Sequence, residues 1–154
     1  MKRLTMSAFT ALAIGTAISP GGALAADTPD TPATSRAVRE LDAARAAIAK
    51  KDWKTAIEQL LAADRKDRRN ADVHNLLGYS YRHSGDMDKA FSHYRTALQI
   101  DAQHKGTHEY IGQAYLTVKQ PDKAREHLAR LKTICGEGCE EYQDLAKAIA
   151  AYTP

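Results

Sequence analysis

The sequence predicts an all-α fold, a stack of three helix hairpins closed by one further helix. Three observations predict it. Apolar residues recur at three-and-four spacing, as in Val73, Leu76, Leu77 and Tyr81, which marks one buried face of a helix. A set of positions recurs at a constant step: Leu77-Gly78 and Tyr81 return as Ile111-Gly112 and Tyr115, Ala90 as Ala124, and Tyr94 as Leu128. Small residues fall at the same phase of each copy, with Ala44 and Ala56 in the first. Glycine inside a helix costs about 1 kcal/mol relative to alanine, so its return at one phase implies close packing. Gly78 is expected to face Ala90, Gly112 to face Ala124, and Ala44 to face Ala56.

The chain opens on Lys2 and Arg3, then an apolar run over residues 4–18, the helix breakers Pro20-Gly21-Gly22, and small residues at Ala23 and Ala25. That order is a secretory signal peptide, cleaved after Ala25. The apolar run falls short of the roughly 20 residues that a membrane span needs. The expected location is therefore the periplasm, with no integral membrane segment after signal removal. Cleavage takes Lys2 and Arg3 away with the signal, and leaves 20 basic against 19 acidic side chains, a net of +1. Both signs are interleaved, and no basic block offers a nucleic-acid footprint. Residues 26–36, rich in Thr and Pro, read as a flexible leader with nothing large to bury.

Three units follow, at residues 37–70, 71–104 and 105–138. In the first, alanine-rich helix residues precede Lys51-Asp52-Trp53, where Asp52 caps the next helix and Trp53 anchors it. In the second, Ser84-Gly85-Asp86 ends one helix and caps its successor. In the third, Pro121 takes the first helical position, where its missing amide costs nothing. Residues 139–154 form the closing helix, whose stripe of Tyr142, Leu145, Ala146, Ile149 and Tyr152 covers the bare end of the stack.

His74-x2-Leu77-Gly78-x2-Tyr81 with Ala90-x3-Tyr94-x2-Ala97, and Ile111-Gly112-x2-Tyr115 with Ala124-x3-Leu128, resemble the tetratricopeptide repeat, a 34-residue helix-turn-helix unit. The resemblance implies a right-handed superhelical stack, with the first helix of each unit lining an inner curve. By family position it places Arg45, Asn75, Tyr79, Arg82, Glu109 and Gln113 on that curve, two cations, amides and a ring able to hold a peptide. It assigns repeat packing to Ala44, Ala56, Leu77, Gly78, Tyr81, Ala90, Tyr94, Gly112, Tyr115 and Ala124. It reads His74 and His108 as half-buried aromatic substitutes.

Cys135 and Cys139 are the only cysteines, and in an oxidising compartment a mutual disulfide is the first expectation. A thiol-redox pair is the rival, but the spacing C-x3-C differs from that of redox motifs. His104 and His108 are four apart without an apparent third ligand, and His74, His83, His93 and His127 read as dispersed. No metal, cofactor or catalytic constellation is expected. The resulting expectation is a non-enzymatic module that binds a polypeptide partner. The alternatives are a self-associating structural subunit and a thiol-redox or catalytic accessory.

Overall fold

The computed structural model describes residues 32–153, with side chains from residue 37 onward. The expected signal peptide and residues 26–31 of the leader lie outside the described residues. Seven helices follow in order: α1 (Pro32–Ala49), α2 (Trp53–Asp64), α3 (Ala71–His83), α4 (Met87–Ile100), α5 (Lys105–Thr117), α6 (Pro121–Cys135) and α7 (Glu140–Ala151). The described residues contain no strand. The all-α expectation holds. The leader, however, ends sooner than its composition suggests: residues 32–36 are already helical. Pro32 opens α1, the one helical position where proline is tolerated, and the alanines after it favour the helix.

The local chemistry of each turn is repeated with the helices. Lys51, Gly85 and Lys119, one repeat step apart, have φ of 57°, 91° and 59°. In each turn the next residue donates its amide five residues back: Asp52 to the Ala47 carbonyl at 3.0 Å, Asp86 to Tyr81 at 2.9 Å and Gln120 to Tyr115 at 2.8 Å. This is the left-handed helix stop that favours glycine, and only the second unit supplies one. Asp52 and Asp86 then cap α2 and α4, accepting from the amides of Thr55 and Lys89 at 3.1 Å. Asn70 caps α3 from Val73, and His104 Nδ1 caps α5 from Thr107. α6 has no side-chain cap and starts on Pro121.

α1 packs on α2, α3 on α4 and α5 on α6, and the seams between units are filled by apolar side chains. Leu41, Ala44, Leu60, Ala63, Val73 and Leu77 close the first seam, and Ala90, Tyr94, Ile111 and Ala114 the second. Ala56 and Ala124 are fully buried, and Tyr81 and Tyr115 are half-buried beside the second seam.

The nearest neighbours of two repeat-phase glycines are side chains larger than alanine. A Cβ built on Gly78 would sit 2.4 Å from the ring of Tyr94, one turn beyond Ala90 on α4, so the glycine makes room for that ring. A Cβ on Gly112 would sit 2.5 Å from Leu145, on the closing helix. The sizes explain the exchange. Tyr94 fills the space beside Gly78 from within its own unit, whereas its successor Leu128 is smaller and leaves room for a side chain from α7. The closing helix is itself in register: Leu145 follows Ile111 by the same step that separates Ile111 from Leu77. α7 thus stands in the phase of the first helix of a unit, as α3 and α5 do.

Candidate functional site

The first helices of successive units touch in series, α3 against α5 and α5 against α7. The face they share carries a continuous run of polar and aromatic contacts. Tyr79 on α3 meets Tyr110 on α5 with ring centroids 4.8 Å apart, and on its other side meets His83 at 4.3 Å. Trp53, at the start of α2, stacks on His83 at 4.7 Å and meets Tyr79 edge-on at 6.0 Å. The guanidinium of Arg82 lies 5.5 Å from the Tyr79 ring centre and donates to Gln113 Oε1 at 3.0 Å. Gln113 Nε2 in turn donates to Glu109 Oε1 at 2.8 Å. One wall of aromatic surface thus runs into a relay of cation, amide and carboxyl.

Glu109 is 9% exposed. Burial, with Asp144, Glu141 and Glu140 of α7 adding their negative charge, pushes its carboxyl up to about 7, against the opposing pull of Arg82. Burial, then Glu109, also raises the Tyr110 hydroxyl. Asn75 is 6% exposed, and its Oδ1 has no hydrogen-bond partner. It lines a cleft of about 410 Å³ that also touches Asp72, Asp101, Lys105 and Glu141.

The structure therefore joins Tyr79, Arg82, Glu109 and Gln113 in one network and puts Asn75 in the adjoining cleft. It does not bring Arg45 to them: that side chain is exposed on α1 and pairs with Asp42 at 3.4 Å. Sequence reading missed Trp53, His83, Tyr110 and the α7 acids as members of this face. Two signals were present. Tyr110 adjoins Glu109, and continuing the repeat step from it reaches Asp144.

A second polar feature is repeated between the helices of a unit. His74 and His93 face each other with Nδ1 atoms 3.2 Å apart, and His108 and His127 do the same at 2.9 Å. The second pair follows the first by one repeat step, so these histidines are paired rather than dispersed, and His74 and His108 are buried rather than half-buried. His74 Nε2 faces the Arg68 carbonyl at 3.4 Å and His108 Nε2 the Ala102 carbonyl at 3.1 Å. A carbonyl only accepts, so Nε2 carries the proton in both, and in the neutral ring Nδ1 accepts from His93 or His127.

Cys135 ends α6 and Cys139 precedes α7, with Cα atoms 5.9 Å apart, inside the span of a disulfide. With Glu141 they form the one group of three ligand-type side chains found among the described residues. A bond between the sulfurs would remove both as thiolate ligands.

Residues 69–137 match the tetratricopeptide repeat family. A curated relative, the protein O-mannosyl-transferase Tmtc3 of Drosophila melanogaster, is 22% identical over 83 residues, 54% of this chain. The match spans only 9% of that protein's length. The tetratricopeptide-repeat domain of Arabidopsis OM64 superposes with a TM-score of 0.70 at 13% identity, covering 79% of this chain and 99% of that domain. The first such domain of Spaghetti (RPAP3), bound to the HSP90 peptide SRMEEVD, gives 0.68 at 14% identity over 76% of this chain and 95% of its own. The TPR2B domain of yeast Sti1, in its pHsp70 complex, gives 0.70 at 14% identity over 75% and 94%.

Proposed function

The chain is a tetratricopeptide-repeat protein, matched over residues 69–137, and on that premise we propose that it is a non-enzymatic module holding a polypeptide partner on the face shared by α3, α5 and α7. The observation that carries this reading is the unbroken side-chain run from Trp53 through Tyr79 and Tyr110, and from Arg82 through Gln113 to Glu109. Rings and a guanidinium supply large contact area at small entropic cost, the composition of energetic centres in protein interfaces. Of the structurally similar domains, one is bound to an HSP90 peptide and another is in a pHsp70 complex, which favours the same use of the fold here.

The place of action in this proposal is the periplasm, reached through the signal sequence of residues 1–25. Cys135 and Cys139 are there joined as a structural disulfide that sets the angle at which α7 docks. A second reading, self-association through α1, is favoured by Val38, the one large apolar side chain left 52% exposed among the described residues.

Replacing Tyr79 and Arg82 by alanine tests the primary reading. Partner retention on the immobilised protein is lost while helical circular dichroism is kept. Unchanged retention by the doubly substituted protein removes the face from consideration, and a mass that rises with concentration in light scattering favours self-association.

A further inference from the structure

The binding face changes character along its length. Its α2–α3 end is aromatic, with Trp53, His83 and Tyr79 in mutual contact. Its α5–α7 end is acidic: α7 packs on α5, and Asp144, Glu141 and Glu140 add negative charge to that of buried Glu109. Two cations stand near these acids, each with a bonded or ion-pair partner. Arg82 donates to Gln113, and Lys105, with 46% of its side chain exposed, stands 3.3 Å from Glu141. Asp72 on the far side of the cleft is within 3.0 Å of His104. The carboxylates therefore exceed the charges placed to balance them.

Asn75 supplies an independent observation. It is 6% exposed, its Oδ1 lacks any partner, and it lines the cleft that reaches Glu141. A buried amide oxygen left unpaired is costly, and a donor arriving with a ligand relieves that cost. An ammonium or guanidinium brings several donors and a positive charge together.

Resting on the binding face proposed above, we infer that its α5–α7 end takes a lysine or arginine side chain of the partner, with Glu109, Glu141 and Asp144 as counter-charges and Asn75, which lines the same cleft as Glu141, as acceptor. The partner is thus a polypeptide segment with apolar or aromatic residues toward Trp53 and Tyr79 and a basic residue toward α7. The selectivity is opposite to that of an acidic segment such as SRMEEVD, the HSP90 peptide held by one similar domain. Three acids of that kind would meet Glu109 and the α7 carboxylates with like charge.

Selection from a phage-displayed library of random peptides tests the assignment, run in parallel on the full chain, on the Glu109→Gln/Asp144→Asn double variant and on Tyr79→Ala. Peptides retained by the unmodified protein are enriched in lysine and arginine by about threefold or more over the input library, and the double variant loses that bias. Glu126→Gln, an exposed carboxylate on α6, leaves it unchanged. Retained peptides with neutral or acidic composition, whose capture still depends on Tyr79, overturn the cation assignment and leave the face standing. The absence of any Tyr79-dependent enrichment overturns the face and the assignment with it.

Discussion

In the second unit Lys89 stands over the Tyr81 ring, Tyr81 stacks on His93, and His93 meets His74. In the third the same order runs Lys123, Tyr115, His127 and His108. Every member of the second ladder follows its counterpart by one repeat step. The ladders differ at their buried ends. His74 Nε2 lies 3.3 Å from a carboxylate oxygen of Asp64, but the same step from Asp64 reaches Leu98, and His108 has only the Ala102 carbonyl at Nε2. In the third unit burial, and then Arg130, disfavour a proton on either ring, with Asp101 opposing them only at His108. The repeat fixes who touches whom, and the neighbour that does not repeat sets the electrostatic surroundings. The same lesson holds for the two glycines, which keep their place in the helix but make room for different side chains.

The glycines give the larger test of that contrast. Gly78→Ala puts a methyl group against the rigid, fully buried Tyr94 ring and is expected to destabilise by about 1–3 kcal/mol. Gly112→Ala meets Leu145, which is equally buried but can change rotamer where the ring cannot; the helix-propensity gain of about 1 kcal/mol is common to both substitutions, so the net cost at Gly112 is smaller. Denaturant midpoints compare the two, and an equal or reversed order breaks the account of the α7 contact.

The histidines give the smaller test. Burial, then His108 and Arg130, push His127 down to about 4, while for His93 burial and His74 act against the nearby Asp64. His127 therefore binds its proton less readily folded than unfolded. The stability it contributes is complete above the ordinary histidine value of 6.5 and is lost as pH falls through about 4. Glu109 slopes the other way: its folded value of about 7 exceeds the ordinary 4.5, so its contribution is present below 4.5 and is lost as pH rises through 7. Because the two oppose each other in overlapping windows, the ring signals must be followed directly. In an NMR titration His127 is expected to take its proton at a lower pH than His93, and the reverse order contradicts the role given to Asp64.

Much of the fold was readable because its signal is redundant. Leu77-Gly78-x2-Tyr81 and Ile111-Gly112-x2-Tyr115 announce the same helix twice, and Asp52, Asp86 and Pro121 mark the helix starts between. The phase of α7 was equally present, Leu145 standing one step beyond Ile111, but Ala146 replaces the glycine that makes the other copies visible. The partner of each glycine was not readable, because it depends on whether a ring or a smaller side chain reaches the gap first. The site was half readable. Family position named Tyr79, Arg82, Glu109 and Gln113, but not that Asp144, Glu141 and Glu140 add their charge to that of Glu109 from a helix whose acids otherwise read as a favourable helix start. Arg45 shows the converse, a residue in the right phase on α1 but paired only with Asp42.

The central claim is that the face joining α3, α5 and α7 holds a polypeptide. A photo-crosslinking residue placed at Tyr110 on that face, and in a second protein at exposed Arg95 on α4, tests it most directly in cells that produce the protein. A discrete polypeptide adduct from position 110 alone is the predicted result. Adducts from position 95 alone, or the same adduct from both, contradict it.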